Sequence, residues 1–200
     1  MFGRTTHTLL LLFASPALGS RQVRWFASNL TETLAMVKYH PRSLTGIYPG
    51  FNAASVFDNG SFAPQPLGPG ADRRAALPCD GEGRATRAYP WSETLLPLGL
   101  TVEPVIGVSP VALLNGTAHH AITALVACAR ATNITGYMLD FESYGAWAHK
   151  LAPRKGAAEL AAVYTSWLHE LGAALHDAGK RLAVCVSDYG MLGEYGGGHL

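Results

Sequence analysis

The sequence is short of charge, of cysteine and of long apolar runs. Only 14% of its 200 residues are charged, and 15 Lys and Arg against 14 Asp and Glu leave a formal net charge of +1. No basic surplus is available to neutralise a phosphate backbone, which argues against a nucleic-acid partner. There are 3 cysteines, Cys79, Cys128 and Cys185, with no Cys-x-x-Cys and no Cys/His spacing that suggests zinc. An odd count leaves at least one outside any disulfide within the chain, and Cys128 and Cys185, both in apolar runs, read as small buried hydrophobes. No Gly-x-Gly-x-x-Gly follows the first predicted strand, so a dinucleotide-binding fold loses its main support. There are no internal repeats. What is present is 48% hydrophobic residues with 22 Gly, 12 Pro, 4 Trp, 8 Tyr and 7 Phe. This describes a loop-rich globular chain of about one domain, with aromatics enough for a core and for stacking on sugars.

The first residues carry Arg4 and His7, then the apolar run from Leu9 to Ala14, then the small residues Ala17 and Gly19. That is the layout of a cleavable secretory signal over residues 1–19. A membrane anchor needs ~20 apolar residues, and this run stops at Pro16. No later segment is long and apolar enough to span, so no membrane span is expected after cleavage. Four Asn-x-Ser/Thr sequons begin at Asn29, Asn59, Asn115 and Asn133, in keeping with a secreted or lumenal glycoprotein. Asn133 precedes a predicted buried strand and is expected to stay unmodified.

Patterning predicts strands over 22–27, 44–48, 100–107, 136–141 and 181–187. Asn29, with Glu32 three residues on, predicts a capped helix reaching Tyr39. Thr117 is expected to cap a second helix, whose Ile122, Leu125, Val126 and Ala129 share one face. A third helix over 157–178 carries the stripe Leu160, Tyr164, Trp167, Leu171 and Ala174, with Gly179 as its C′ residue. Residues 51–90, rich in Pro and Gly, read as a loop insertion with a short hairpin at Asp58-Asn59-Gly60. Strand–helix alternation implies an α/β fold with parallel strands, either a doubly wound sheet or a (β/α)8 barrel. A barrel needs ~250 residues. On that reading residues 20–200 are the N-terminal portion, its first five strand–helix units, with an open edge and uncovered apolar faces.

One segment carries chemistry. Along the strand at 136–141, alternation puts Met138, Asp140 and Glu142 on one face and Tyr137, Leu139 and Phe141 on the other. The second set is apolar and suits contact with helices. The first aims two carboxylates, ~6–7 Å apart along the strand, at the barrel interior near the C-terminal end where barrel enzymes keep their catalytic groups. Two such anions are costly to bury together, so one proton affinity is expected to rise, and a carboxyl so tuned can protonate a leaving oxygen. A solvated, idle acid pair is the competing reading, and the flanking residues are too apolar for an exposed strand.

The run Thr135-Gly136-Tyr137-Met138-Leu139-Asp140-Phe141-Glu142 resembles the Asp-Gly-x-Asp-x-Asp-x-Glu signature of family 18 glycoside hydrolases, a family that includes chitinases and chitobiases. The resemblance implies a (β/α)8 barrel with the signature on its fourth strand, which is the place of 136–141 in the chain order. By position Glu142 matches the general acid/base, and Asp140 matches the Asp that orients the substrate's N-acetyl group. Met138 stands where the family has its middle Asp, and Thr135 where it has the first. The implied reaction is substrate-assisted, retaining hydrolysis of an oligosaccharide or polysaccharide containing N-acetylglucosamine, and the resemblance implies no metal and no cofactor.

Other candidates come from position. Tyr48 and Phe51 after the second strand, and Tyr144, Trp147 and Tyr189 after the fourth and fifth, could stack on sugar rings, each with core packing as the alternative. Asp188 ends the fifth strand and could be a polar site residue. His119 and His120 read as solvent-exposed. Three other readings remain beside the hydrolase: a non-catalytic sugar-binding relative, which Met138 favours; a metal-dependent enzyme with Asp140 and Glu142 as ligands, for which Glu103 is the only other acid in a predicted strand; and an inactive fragment.

Overall fold

The computed structural model describes residues 23–50, 52–64, 72–140 and 156–185. The proposed signal and the ends of three predicted strands (residue 22, residue 141 and residues 186–187) lie outside them.

The molecule is a mixed α/β structure built on parallel strands. Strand β1 (Arg24–Ala27) leads into helix α1 (Leu30–Tyr39). Asn29 caps α1 as its spacing predicts, its side-chain oxygen accepting from the backbone N–H of Thr31 and Glu32. Strand β2 (Gly46–Pro49) pairs in parallel with β1. After it comes an antiparallel hairpin, β3 (Ala54–Val56) and β4 (Phe62–Pro64), turning through Asn59-Gly60 where the sequence places it. Helix α2 (Pro90–Leu95) follows; its Trp91 and Leu95 are fully buried. No periodicity announces this helix: it is six residues long and starts on a proline, which suits the first turn because the missing N–H has no partner there anyway.

The third chain-order strand is broken. Its halves β5 (Thr101–Val102) and β6 (Val105–Val108) flank Glu103-Pro104. Pro104 has no N–H to give the ladder. Its carbonyl still accepts from Met138 N–H at 3.1 Å, and Glu103 N–H donates to Ile47 at 3.0 Å. The strands on the two sides of the break belong to two sheets, β1-β2-β5 and one of five strands that holds β6, and these bonds run between them. β5 pairs with β2, and β6 pairs with β3 on one side and β7 (Gly136–Asp140) on the other, all in parallel. β7 pairs in parallel with β8 (Arg181–Cys185) in the register Gly136↔Arg181 to Asp140↔Cys185.

The helices differ from the predicted set at the centre. Ser109 caps a short helix α3 (Pro110–Leu114), accepting from Val111 and Ala112 N–H. Thr117 is not a cap. Its hydroxyl donates to the Asp58 carbonyl at 2.9 Å, tying the hairpin turn to the start of a 3-10 turn at Thr117–His120. Helix α4 (Ala121–Ala131) begins only after that turn. Helix α5 (Gly156–Asp177) buries Leu160, Trp167, Leu171 and Leu175, and Gly179 behind it takes φ +69. Leu175 replaces the expected Ala174 in the buried stripe because the longer side chain reaches the core.

The core lies between the sheet and these helices. Tyr137 donates its hydroxyl to the Leu125 carbonyl of α4 at 2.8 Å, and Trp167 donates from its indole to Ala118 at 3.0 Å. Cys79 and Cys128 form a disulfide that fastens the segment before α2 to α4. This corrects the reading of Cys128 as a plain core hydrophobe. Its burial is real, and its partner comes from the Pro/Gly-rich segment, where no periodicity marks Cys79. The parallel pairings fit the expected α/β class; among the described residues the strands form two sheets, of three and five strands, that do not close into a (β/α)8 barrel, and β1 and β8 each have one neighbour.

Candidate functional site

The site is built on β7. Tyr137 and Leu139 are fully buried against the helices, so the opposite face carries Gly136, Met138 and Asp140. Gly136 cannot be replaced without moving β8, because a Cβ there would lie 2.0 Å from the Arg181 carbonyl oxygen. Thr135, in the place of the family's first Asp, supports the sheet. Its hydroxyl accepts from Val102 N–H at 2.9 Å and closes the ladder beside the Pro104 break.

Met138 is 4% exposed and lies opposite Val105 and Ala183 in the register. Asp140 ends the strand, half-buried, opposite Cys185. Tyr164 of α5 stands near enough that Asp140 adds to burial, the larger cause, in pushing its phenol well above the ordinary range. Glu142, Tyr144, Asp188, and the aromatic candidates Phe51, Trp147 and Tyr189, lie outside the described residues. Of the site residues expected from sequence, Asp140, Met138 and Tyr48 are therefore the ones with a described place.

Tyr48 is half-buried on β2. Its ring meets Phe26 of β1 at 5.1 Å between centroids, tilted by 55°, and the Arg24 guanidinium lies 5.6 Å from its centre. Arg24 also donates to its hydroxyl at 3.2 Å.

That arginine belongs to a cluster sequence reasoning missed. Glu103, at the strand break, is fully buried and forms an ion pair with Arg24 of β1. Arg181 of β8 stands 3.6 Å from its other oxygen. Burial raises the carboxyl's proton affinity, and the charges of Arg24 and Arg181 oppose that rise. Glu103 thus faces two arginines. Among the described residues, no group of three His, Cys, Asp or Glu is placed to hold a metal ion. The lone signal in the sequence was an acid inside an apolar strand; its partners are 79 and 78 positions away in the chain, by the numbering of Arg24, Glu103 and Arg181.

His119 departs from the exposed reading. It is half-buried, and its ring nitrogen is 2.5 Å from the Glu170 carboxylate of α5. His120 is exposed.

No family model matches the sequence, and the comparison with curated proteins finds no match. Among solved structures, the fold is similar to a chitinase from Chromobacterium violaceum ATCC 12472. The TM-score is 0.53 at 16% identity, over 82% of this chain and 44% of that chain. At that identity the likeness is one of fold. The chain spans less than half the length of that chitinase.

Proposed function

We propose that the chain is the N-terminal part of a family 18-like glycoside hydrolase barrel that cleaves β-glycosidic bonds in N-acetylglucosamine-containing glycans. The observation that carries this is the place of Asp140. It ends β7, the strand found where the fourth is expected from sequence, on the face turned away from the helices, in a chain whose fold is similar to that of a chitinase. Glu142 follows two residues on in the sequence.

In this reading the sugar's 2-acetamido oxygen attacks its own anomeric carbon. Glu142 gives a proton to the departing glycosidic oxygen and then takes one from the incoming water. Asp140 accepts a hydrogen bond from the acetamide N–H and stabilises the positive charge of the cyclic intermediate. Tyr48, Tyr144 and Asp188 complete the sugar contacts, with Met138 forming an apolar floor. The Cys79–Cys128 disulfide supports the reading that the protein is secreted or lumenal, since such bonds persist in oxidising compartments. Among the described residues no helix is long and apolar enough to cross a membrane.

A second reading, a sugar-binding relative without turnover, is favoured by Met138: no carboxylate stands two residues before Asp140 to share its charge or a proton. Release of chromophore from a chitobioside separates the two. Glu142→Gln is expected to lower turnover at least about 100-fold and to leave oligosaccharide binding in place. Turnover equal to wild type removes Glu142 as the acid; binding without turnover in the wild type supports the second reading.

A further inference from the structure

A cleft of about 350 Å³ opens on the helical side of the sheet, between α2 and the turn joining α4 to β7. That volume is at the lower end of the roughly 300–1,000 Å³ of small-ligand pockets, enough for one sugar ring. It is far from the Asp140 end of β7, since its lining includes Thr132 and Asn133, before the strand begins. Leu96, Pro97 and Ala131 give it apolar wall. Ser92 also lines it; it is 3% exposed, and its hydroxyl has no hydrogen-bond partner among the described residues. A buried hydroxyl left in that state is costly, and this one belongs to a residue of the cleft wall.

At the cleft's edge stands Asn133, the acceptor residue of the sequon Asn133-Ile134-Thr135. Burial of the following strand does not reach it. Thr132 and Ile134 on either side are buried, while Asn133 is exposed, in the left-handed backbone region at φ +53 that Asn tolerates better than most residues. The other sequons lack such a seat: the Asn29 side chain caps α1, and Asn59 and Asn115 are exposed in turns and do not line the cleft.

We propose that Asn133 carries an N-linked glycan and that its first N-acetylglucosamine lies in this cleft. The donor is an oligosaccharide on a lipid pyrophosphate. The Asn133 amide nitrogen bonds to the sugar's anomeric carbon and loses a proton, the bond from that carbon to the pyrophosphate oxygen breaks, and the lipid pyrophosphate leaves. There is no redox change. In the folded protein the sugar's apolar face covers Leu96 and Pro97, and Ser92, its side chain turned about χ1 toward the cleft, donates its hydroxyl to a sugar oxygen.

The full 200-residue chain, placed behind a heterologous secretion leader in a eukaryotic cell, tests the modification whatever residues 1–19 do. Thr31→Ala, Asn59→Gln and Asn115→Gln remove the other sequons and keep the Asn29 cap. Peptide N-glycosidase in heavy-oxygen water is expected to convert Asn133 to labelled Asp; an Asn133 left as Asn overturns the proposal. The seat is read from melting. Trimming the glycan to a single N-acetylglucosamine is expected to leave Tm about 2–4 °C above that of the fully stripped protein, and Ser92→Ala is expected to abolish most of that difference. Equal Tm values before and after stripping overturn the seat. None of these outcomes depends on hydrolase activity, so the site and the proposed reaction fail separately.

Discussion

Two carboxylates paired with arginine show how surroundings set the sign of a proton's effect. Asp72 bonds to Arg74 and accepts from the backbone N–H of Arg74 and Leu30, and the Arg74 bond is the main reason its carboxyl is held below the usual value of 3.8. A lowered folded value means that the unfolded chain binds the proton more tightly, so the stabilisation is present above the ordinary Asp range and is lost as pH falls through it. Asp72→Asn is expected to melt below wild type at pH 7, with the gap shrinking in acid. Glu103 is opposite in sign. Burial raises it above 4.5, so the folded state holds its proton longer and this group's contribution declines as pH rises through that range. Glu103→Gln is expected to flatten that part of the stability–pH curve. It also leaves the half-buried Arg24 without its opposite charge, a loss of at most about 3–5 kcal/mol, the figure for one partner of a fully buried pair. Urea titrations of both variants across pH 3–8 check both signs.

At the scale of the element, β7 is held to its register by the absence of a side chain. Overpacking a filled interior costs about 1–3 kcal/mol, and the Cβ of Gly136→Ala would meet backbone rather than a flexible side chain. The variant is expected to lose at least that much stability by chemical denaturation, with amide exchange accelerated in β7 and β8 before β1 and β2. The elements legible in the sequence were those long enough to repeat a pattern. Helix α1 shows its cap and α5 shows about four turns of stripe, and both run within a residue or two of expectation. Helices α2 and α3, six and five residues long, are too short for periodicity and are held by burial of Trp91 and Leu95 and by the Ser109 cap. Thr117 misled because a hydroxyl before an apolar run can cap a helix or bind a distant carbonyl, and the packed hairpin decides which.

For the whole molecule, the disulfide joins the irregular segment to the helix layer across a separation of 49 residues. Closing a loop of this size typically contributes about 2–4 kcal/mol. Cys79→Ala with Cys128→Ala is expected to lower stability by that amount, and a reductant is expected to lower wild type and leave the double variant unchanged, as followed by melting. Among the described residues β1 and β8 each have a single neighbour, and on them Trp25 is 50% exposed and Val184 37%.

The sequence by itself determined the α/β class, a strand at each of the five expected places except 100–107, which is broken in two, and the face of β7 that carries Asp140. These follow from local periodicity, because alternation along a buried strand and stripes along a helix are written in neighbouring residues. Tertiary structure alone decided the Cys79–Cys128 bond, the engagement of Glu103 by Arg24 and Arg181, and the cleft beside Asn133. Each joins side chains far apart in the chain, and the order of strands in the sheet, which no local pattern encodes, is what brings them together.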